Sequence, residues 1–356
     1  MDTPYASHTP HTQSTTGELD AIPSLAKTNP KKMHRAWPWG LALMVILIGS
    51  ALTTLGVRHQ LGVIQIADQQ RYDRLSEKLT GELTRRVMVY NYGLKGTRGL
   101  FPASSSVERE EFRAMALSRE METDFPGALG VGYIHRVEDR PDAVVAFLEH
   151  TRSEGAPEFT ITVPPGAGPL ADSRLDGRLI IEFIEPVEDN RPAMGLEIDA
   201  HPVRREAAER AALTGEGIIT GRIDLVQDDQ KLAGFLYLLP VYGRGMPIGT
   251  PEERLAATEG WVYMPMMAPP LLNGATLAVD GELDFEVFDG DRPAISNLIY
   301  DGDGHLVDAI GAGSVQSTHY DDRRFHGFRV LKVGGRTWTV SISDSPAFVA
   351  ESRSGA

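Results

Sequence analysis

From Pro38 to Val57, within KKMHRAWPWGLALMVILIGSALTTLGVRHQ, the chain carries no charged side chain. About 20 helical residues cross a hydrocarbon core, so this run predicts a transmembrane helix over residues 37–57. Trp37 and Trp39 stand where an interfacial aromatic belt would lie. Lys27, Lys31, Lys32 and Arg35 precede the run, whereas Arg58 and Arg71 alone occupy a similar window after it. That asymmetry predicts a cytoplasmic N-terminus and an extracytoplasmic remainder. A cleaved signal peptide is the competing reading. The long preceding tail, an apolar run longer than an h-region and the lack of a convincing A-x-A site favour an anchor. Residues 1–36, rich in Thr, Ser, His and Pro, predict a disordered cytoplasmic tail.

The 356 residues suffice for one large domain or two, each with its own core. A net charge of −14 argues against nucleic acid as a partner, because phosphate binding needs a basic surface. With no cysteine there are no disulfides and no thiolate metal sites. The ten histidines are scattered, with no HExxH and no tight His/Asp cluster, so neither a metal nor a cofactor is assigned.

Beyond the span, Leu61, Ile64, Tyr72, Leu75, Leu79, Leu83, Val87, Tyr90 and Leu94 recur, from Tyr72 on mostly in steps of three or four. This period predicts a stalk helix over 58–98 with one apolar stripe. The stripe either pairs with its copy in a homodimer or packs on its own domain. KGTRGLFPASSSVEREEF ends the stalk and caps a new helix through Phe112 and Met115. Apolar runs then alternate with turns: ALGVGYIHRV, EFTITV, LIIEFIEPV, AMGLEI, GIITGRIDLV, AGFLYLLPVY and GWVYMPM, interrupted by helical patches at 141–151 and 202–213. The pattern predicts an α+β unit. A second, mostly strand unit follows: ATLAVD, LDFEVFDG, SNLIYDGDG and FRVLKVGGRTWTVSIS, with VGGR as the hairpin turn.

Three stretches carry a family resemblance: GTRGLFPASSSVEREEFRAM (96–115), FIEPVEDNRPAMGLEIDAHPVRREAAERAALTG (183–215) and LYLLPVYGRG with EERLAATEGWVYMPM (237–266). In order and spacing they resemble the CHASE domain, an extracytoplasmic sensory module of receptor histidine kinases and of adenylate and diguanylate cyclases, plant cytokinin receptors included. The resemblance runs over roughly 75–345. It implies a transmembrane helix and stalk, then two tandem PAS-like antiparallel-sheet domains, with ligand in the membrane-distal one. The expected divisions are a distal domain over 99–270, a proximal domain over 271–348, and a lead-in to a second span over 349–356. The implied location is a bacterial inner membrane with the sensory part periplasmic.

The same resemblance directs attention to residues 194–220. Many members place an Asp where this chain has Glu197, counting from Gly195 and Pro202, and in cytokinin receptors that Asp contacts adenine. A carboxylate can accept from neighbouring ring N–H groups, but the extra carbon–carbon bond of Glu shortens the pocket by up to about 1.5 Å. Cytokinin is therefore doubtful, and a different small polar ligand stays open. As a strand, AMGLEI would put Glu197 and Asp199 on one face, opposite Met194, Leu196 and Ile198. Asp199 is expected to lead into the following helix, whose Arg204, Arg205, Glu206, Glu209 and Arg210 read as an ion-paired surface. Ile219 and Thr220 take the family's pocket positions, competing with ordinary strand packing. Tyr237 and Tyr242 could close the pocket with ring faces, competing with a place in the core, and Tyr133 and His135 are further candidates, His135 as a group that could tune binding near neutral pH.

The expected function is ligand sensing relayed to a kinase or cyclase output, which is not in this chain, with lipid bilayer, a small molecule and a second copy as partners. The chain stops at SPAFVAESRSGA, where a second span is due, and truncation is the preferred explanation. The alternatives are a membrane-anchored periplasmic enzyme and an interaction module. Against the enzyme, there is no GxSxG, no paired-acid motif and no phosphate loop.

Overall fold

A computed structural model describes residues 37–163, 174–227, 232–306, 315 and 317–354. The expected tail over 1–36 lies outside the described residues. The chain divides into a unit through Gly62 and a unit from Val63 onward. One helix, Trp37–Arg98, begins in the first unit and continues into the second. In the first unit its apolar side chains, among them Leu43, Val45, Ile46 and Leu52, are exposed all round. Among the described residues this is the one helix long and apolar enough, by length and composition, to cross a membrane.

In the second unit the character of the helix changes. Asp68, Tyr72, Ser76, Leu79, Leu83, Val87, Tyr90, Leu94 and Thr97 are all buried, a continuous stripe in steps of three and four. The stripe lies in one core with both of the unit's sheets, so its apolar members are covered within the same chain. Polar anchors fix the register: Tyr72 Oη donates to the Ile342 carbonyl at 2.7 Å, and Arg86 donates to the Leu271 and Asn273 carbonyls at 3.2 and 3.0 Å.

The first sheet contains β1 (Val131–Val137), β2 (Arg178–Glu185), β3 (Ile218–Ile219), β4 (Gly234–Tyr242) and β5 (Thr258–Met267). Its order is β2-β1-β5-β4-β3, antiparallel throughout. Both faces are buried, which explains why GFLYLLPVY reads as unbroken apolar residues instead of an alternation. Phe235, Tyr237 and Leu239 join the core under the long helix, whereas Leu236 and Leu238 join a second core with Ile134, Trp261 and Tyr263. That second core is roofed by the helix Pro202–Thr214 through Ala207, Ala208, Ala211 and Ala212. Small side chains at this spacing let the helix sit close, and Trp261 Nε1 donates to the Ala208 carbonyl at 3.0 Å.

The second sheet contains β6 (Leu283–Asp289), β7 (Leu298–Asp301), β8 (His326–Val333) and β9 (Arg336–Asp344), in the order β7-β6-β9-β8 and again antiparallel. The expected VGGR hairpin joins β8 to β9, with Gly334 and Gly335 both at positive φ. The fold is therefore the expected mixed one: a long apolar helix followed by two antiparallel sheets.

Three expected strands differ. AMGLEI and EFTITV form only single bridges, Thr162 to Leu196 and Ile180 to Glu197, instead of ladders. The cause is Gly195, whose φ of +74° turns the chain; a Cβ there would lie 1.9 Å from the Thr160 carbonyl oxygen. ATLAVD is a 3₁₀ turn, Ala275–Val279, closed on either side by Gly274 and Asp280 in the left-handed region.

Candidate functional site

A cleft of about 1050 Å³ opens beside β1. Among the described residues its walls come from β1 (Tyr133, His135, Arg136), the turn after it (Glu138, Asp139), the approach to and start of β2 (Leu175, Asp176, Gly177 and Leu179), Asp199, Arg205, and the entry to β5 (Ala256, Thr258, Glu259). Tyr133 and His135, two residues apart on a strand, stand on one face of the sheet. Tyr133 is buried against Phe101, with ring centroids 4.4 Å apart, and against Phe183 at 6.1 Å. Beneath it lies Gly260, where a Cβ would fall 2.5 Å from Tyr133 Oη and 2.3 Å from the Ile134 carbonyl oxygen. Burial pushes the Tyr133 hydroxyl well above its ordinary pKa, so it stays protonated. His135 Nδ1 lies 2.9 Å from Glu182 Oε2, which fixes the ring at the wall.

Two arginines of the cleft wall bond backbone carbonyls. Arg136 donates to the Asp176 carbonyl at 2.8 Å and to the Leu255 and Thr258 carbonyls at 2.9 and 3.2 Å, clamping β1 to the entry of β5. Burial lowers its pKa without discharging so basic a group. Arg205 Nε donates to the Asp199 carbonyl at 2.7 Å. Asp199 itself is buried, and its Oδ1 accepts from the Leu179 N–H at 3.0 Å. Burial nevertheless holds its carboxyl above the ordinary range, with the nearby Glu197 adding to the rise. Glu138 pairs with Arg140 at 2.8 Å. Asp139, Asp176 and Glu259 carry no ion pair to Arg or Lys among the described residues.

The five residues singled out from the sequence fall in different places. Tyr133 lines the cleft. Glu197 is buried but turned to Arg178, whose Nε donates to Glu197 Oε1 at 3.0 Å while a second nitrogen meets Oε2. Ile219 is buried against the β8–β9 hairpin, its N–H donating to the Gly334 carbonyl at 2.8 Å. Thr220 Oγ1 accepts from the Leu236 N–H at 3.0 Å, closing β3 onto β4. Tyr237 borders a smaller cavity of about 380 Å³ together with Asn91, Gly217 and Gly334, away from the residues of the main cleft. Burial raises its hydroxyl pKa as well.

Asp199, expected at the helix entry, is the acid that reaches the cleft wall. Arg204 and Arg205, expected on a surface, are buried. The Asp224 and Asp199 carbonyls receive them. Their signal was present: each lies three or four residues before an alanine of the buried stripe, on the sheet-facing side. The reading of no tight His/Asp cluster is also corrected, since the second sheet gathers Asp284, Glu286, Asp303 and His305 with donor atoms within 4.8 Å of one another.

The family model described as CHASE domain matches residues 105–300, more than half of the 356-residue chain, and the chain belongs to that family. No curated protein matches it. Among solved structures it is similar to an extracellular ligand binding receptor from Desulfohalobium retbaense DSM5692, at 10% identity and a TM-score of 0.48, over 77% of this chain and 40% of that one. The chain thus spans less than half the length of that receptor. It is also similar to the ligand-binding domain of the Pseudomonas aeruginosa PAO1 amino acid chemoreceptor PctC in complex with GABA (12% identity, TM-score 0.39, 77% and 99% of the two chains). A third is the periplasmic sensory domain of the Campylobacter jejuni chemoreceptor Tlp1 (13%, 0.39, 81% and 96%).

Proposed function

We propose that this chain is the extracytoplasmic ligand-sensing part of a bacterial transmembrane receptor, that a small molecule binds in the cleft beside β1, and that the bound state is relayed to a cytoplasmic kinase or cyclase output. The membership in an extracytoplasmic sensory family, the apolar anchor and the basic residues before it support this arrangement, with the N-terminus cytoplasmic. The single observation that carries the choice of site is the cleft itself, large enough for a metabolite and walled by polar side chains around the buried Tyr133 ring.

Its electrostatics favour a particular ligand class. Arg136 donates to backbone carbonyls and Arg205 to the Asp199 carbonyl, while the exposed acids Asp139, Asp176 and Glu259 line the cleft. The ligand is therefore a small amine-bearing molecule, held by charge-assisted bonds to these acids. Glu197 is occupied by Arg178, which argues against the adenine contact that the family resemblance implies at this position.

The test is thermal stabilisation and calorimetry on the whole chain in detergent or nanodiscs, with amines, amino acids and adenine derivatives as probes. An amine-bearing compound should stabilise the protein, and Glu259→Gln and Asp139→Asn should each weaken its binding about tenfold, the loss of one charge-assisted bond. Binding of adenine derivatives alone, or amine binding unchanged in both variants, overturns this assignment.

A further inference from the structure

Asp284 and Glu286 are two residues apart on β6 and project from one face of the second sheet. Asp303 and His305 face them from the turn that follows β7. The four side chains bring donor atoms within 4.8 Å of one another. That is close to the ~4.4 Å spanned by two donors at about 2.2 Å on opposite sides of one ion.

The turn is built to stay there. Asp301 accepts from the Gly304 and Leu306 N–H groups at 3.0 and 2.9 Å. Gly302 permits the approach, because a Cβ there would lie 2.4 Å from Asp284 Oδ1. Behind the cluster, Tyr320 Oη donates to Glu286 Oε2 at 2.8 Å and accepts from Ser341 Oγ at 2.8 Å, which orients the carboxylate.

One feature is unsatisfied by all this bonding. Glu286 is wholly buried, yet its Oε1 has no hydrogen-bond partner, and neither has Asp284 Oδ2 in a residue 9% exposed. Both residues belong to the cluster. A buried acceptor left without a partner costs about 1–3 kcal/mol, more when charged. Arg323 supplies one cation, bonding Asp303 and lying 3.9 Å from Asp284 Oδ2, too far for a hydrogen bond. Asp284, Glu286, Asp301 and Asp303 thus share one fixed positive charge, with His305 as the remaining group able to carry another.

We propose that Asp284, Glu286, Asp303 and His305 form a site for a divalent cation of the Zn²⁺ or Mn²⁺ class. Three carboxylates and one imidazole make a mixed oxygen–nitrogen donor set, which suits these ions better than Ca²⁺ or Mg²⁺, whose sites are built from oxygen alone. The ion takes up the unpartnered oxygens on β6 and ties the 302–306 turn to that strand. Tyr320, through Glu286, is a positioning residue. The site is independent of the amine-binding cleft, which lies on the other sheet.

The full chain is stripped with EDTA, dialysed, and titrated separately with ZnCl₂, MnCl₂, CaCl₂ and MgCl₂ by calorimetry, with metal content measured after desalting. One Zn²⁺ or Mn²⁺ per chain is expected, together with a rise in Tm. Asp303→Asn and His305→Ala, both on the outer side of the site, should each weaken binding at least about tenfold. Glu286→Gln should abolish it, and if that variant does not fold, the two outer variants still decide the matter. Absence of 1:1 binding, wild-type affinity in both outer variants, or preference for Ca²⁺ or Mg²⁺ overturns the proposal.

Discussion

Arg178 and Glu197 form a two-point ion pair, with Arg178 Nε donating to Glu197 Oε1 at 3.0 Å, and the next residue of β2, Leu179, donates its N–H to Asp199 at 3.0 Å. Two neighbouring residues on the edge strand thereby hold two acids, one turned to the pair and the other to the cleft. The segment after Gly195 forms isolated bridges, with the Ile181 N–H donating to the Leu196 carbonyl and the Ile198 N–H to the Leu179 carbonyl, and these side-chain bonds add to that short pairing.

Arg178→Ala would leave the Glu197 carboxylate buried beside no cation. The expected loss is about 1–3 kcal/mol, the cost of an unsatisfied buried acceptor. Replacing both partners, as Arg178→Met with Glu197→Leu, should recover most of it, because apolar isosteres often match a buried pair. Urea unfolding followed by tryptophan fluorescence measures both. A double variant as unstable as Arg178→Ala would show that the pair is not the origin of the effect.

Gly260 carries the ring of Tyr133. A Cβ at 260 meets the Tyr133 hydroxyl at 2.5 Å and a backbone carbonyl at 2.3 Å, and the carbonyl cannot retreat without opening β1 from β5. Gly260→Ala should destabilise by about 1–3 kcal/mol through overpacking. Because the ring is displaced toward the cleft, ligand binding should fall further than stability accounts for. Comparing Tm with ligand affinity at a temperature where the variant is folded separates the two effects.

The pH dependence of stability has a definite sign at Asp199. Burial raises its native pKa above the ordinary 3.8. The folded state therefore holds its proton at a pH where the unfolded chain has released it, and stability rises as pH falls through the native value toward 3.8. Asp199→Asn keeps an acceptor for the Leu179 N–H but does not titrate. The variant should equal or exceed the wild type in Tm near pH 7, and its advantage should shrink on acidification toward pH ~4. An advantage that grows as the pH falls would contradict the direction assigned to this carboxyl.

Much of the fold was legible because its patterns are long and regular. The stripe from Tyr72 to Leu94 holds helical period for several turns, and GFLYLLPVY is a strand buried on both faces. AMGLEI was misread because alternation is a strand signal, whereas the left-handed Gly195 that breaks it is a backbone property. Arg204 and Arg205 were misread because charge suggests solvent, yet carbonyls at 224 and 199 receive them inside the fold. The main cleft draws on segments from Tyr133 to Glu259, and the second-sheet cluster joins a strand to a turn beyond the next strand. No local spacing records such meetings, which is why Tyr133 alone of the five chosen residues lies in the cleft.

The stalk stripe offers a direct comparison of its two readings. Leu83 is 1% exposed and belongs to the core formed with both sheets, whereas Met88, five residues on, is 46% exposed. If the stripe is covered within the chain, Leu83→Ala removes intramolecular packing and should lose about 2–5 kcal/mol, the usual range for a buried leucine. That loss should not depend on protein concentration, since no second copy takes part in the contact. Met88→Ala should stay within about 0.5 kcal/mol in a monomer, as for other surface positions. Met88 lies with Thr80, Thr84 and Tyr92 along one side of the helix, away from the buried stripe. A Met88→Ala loss that grows with protein concentration would place a dimer contact on that face, and a concentration-dependent loss at Leu83 would refute the intramolecular packing of the stripe.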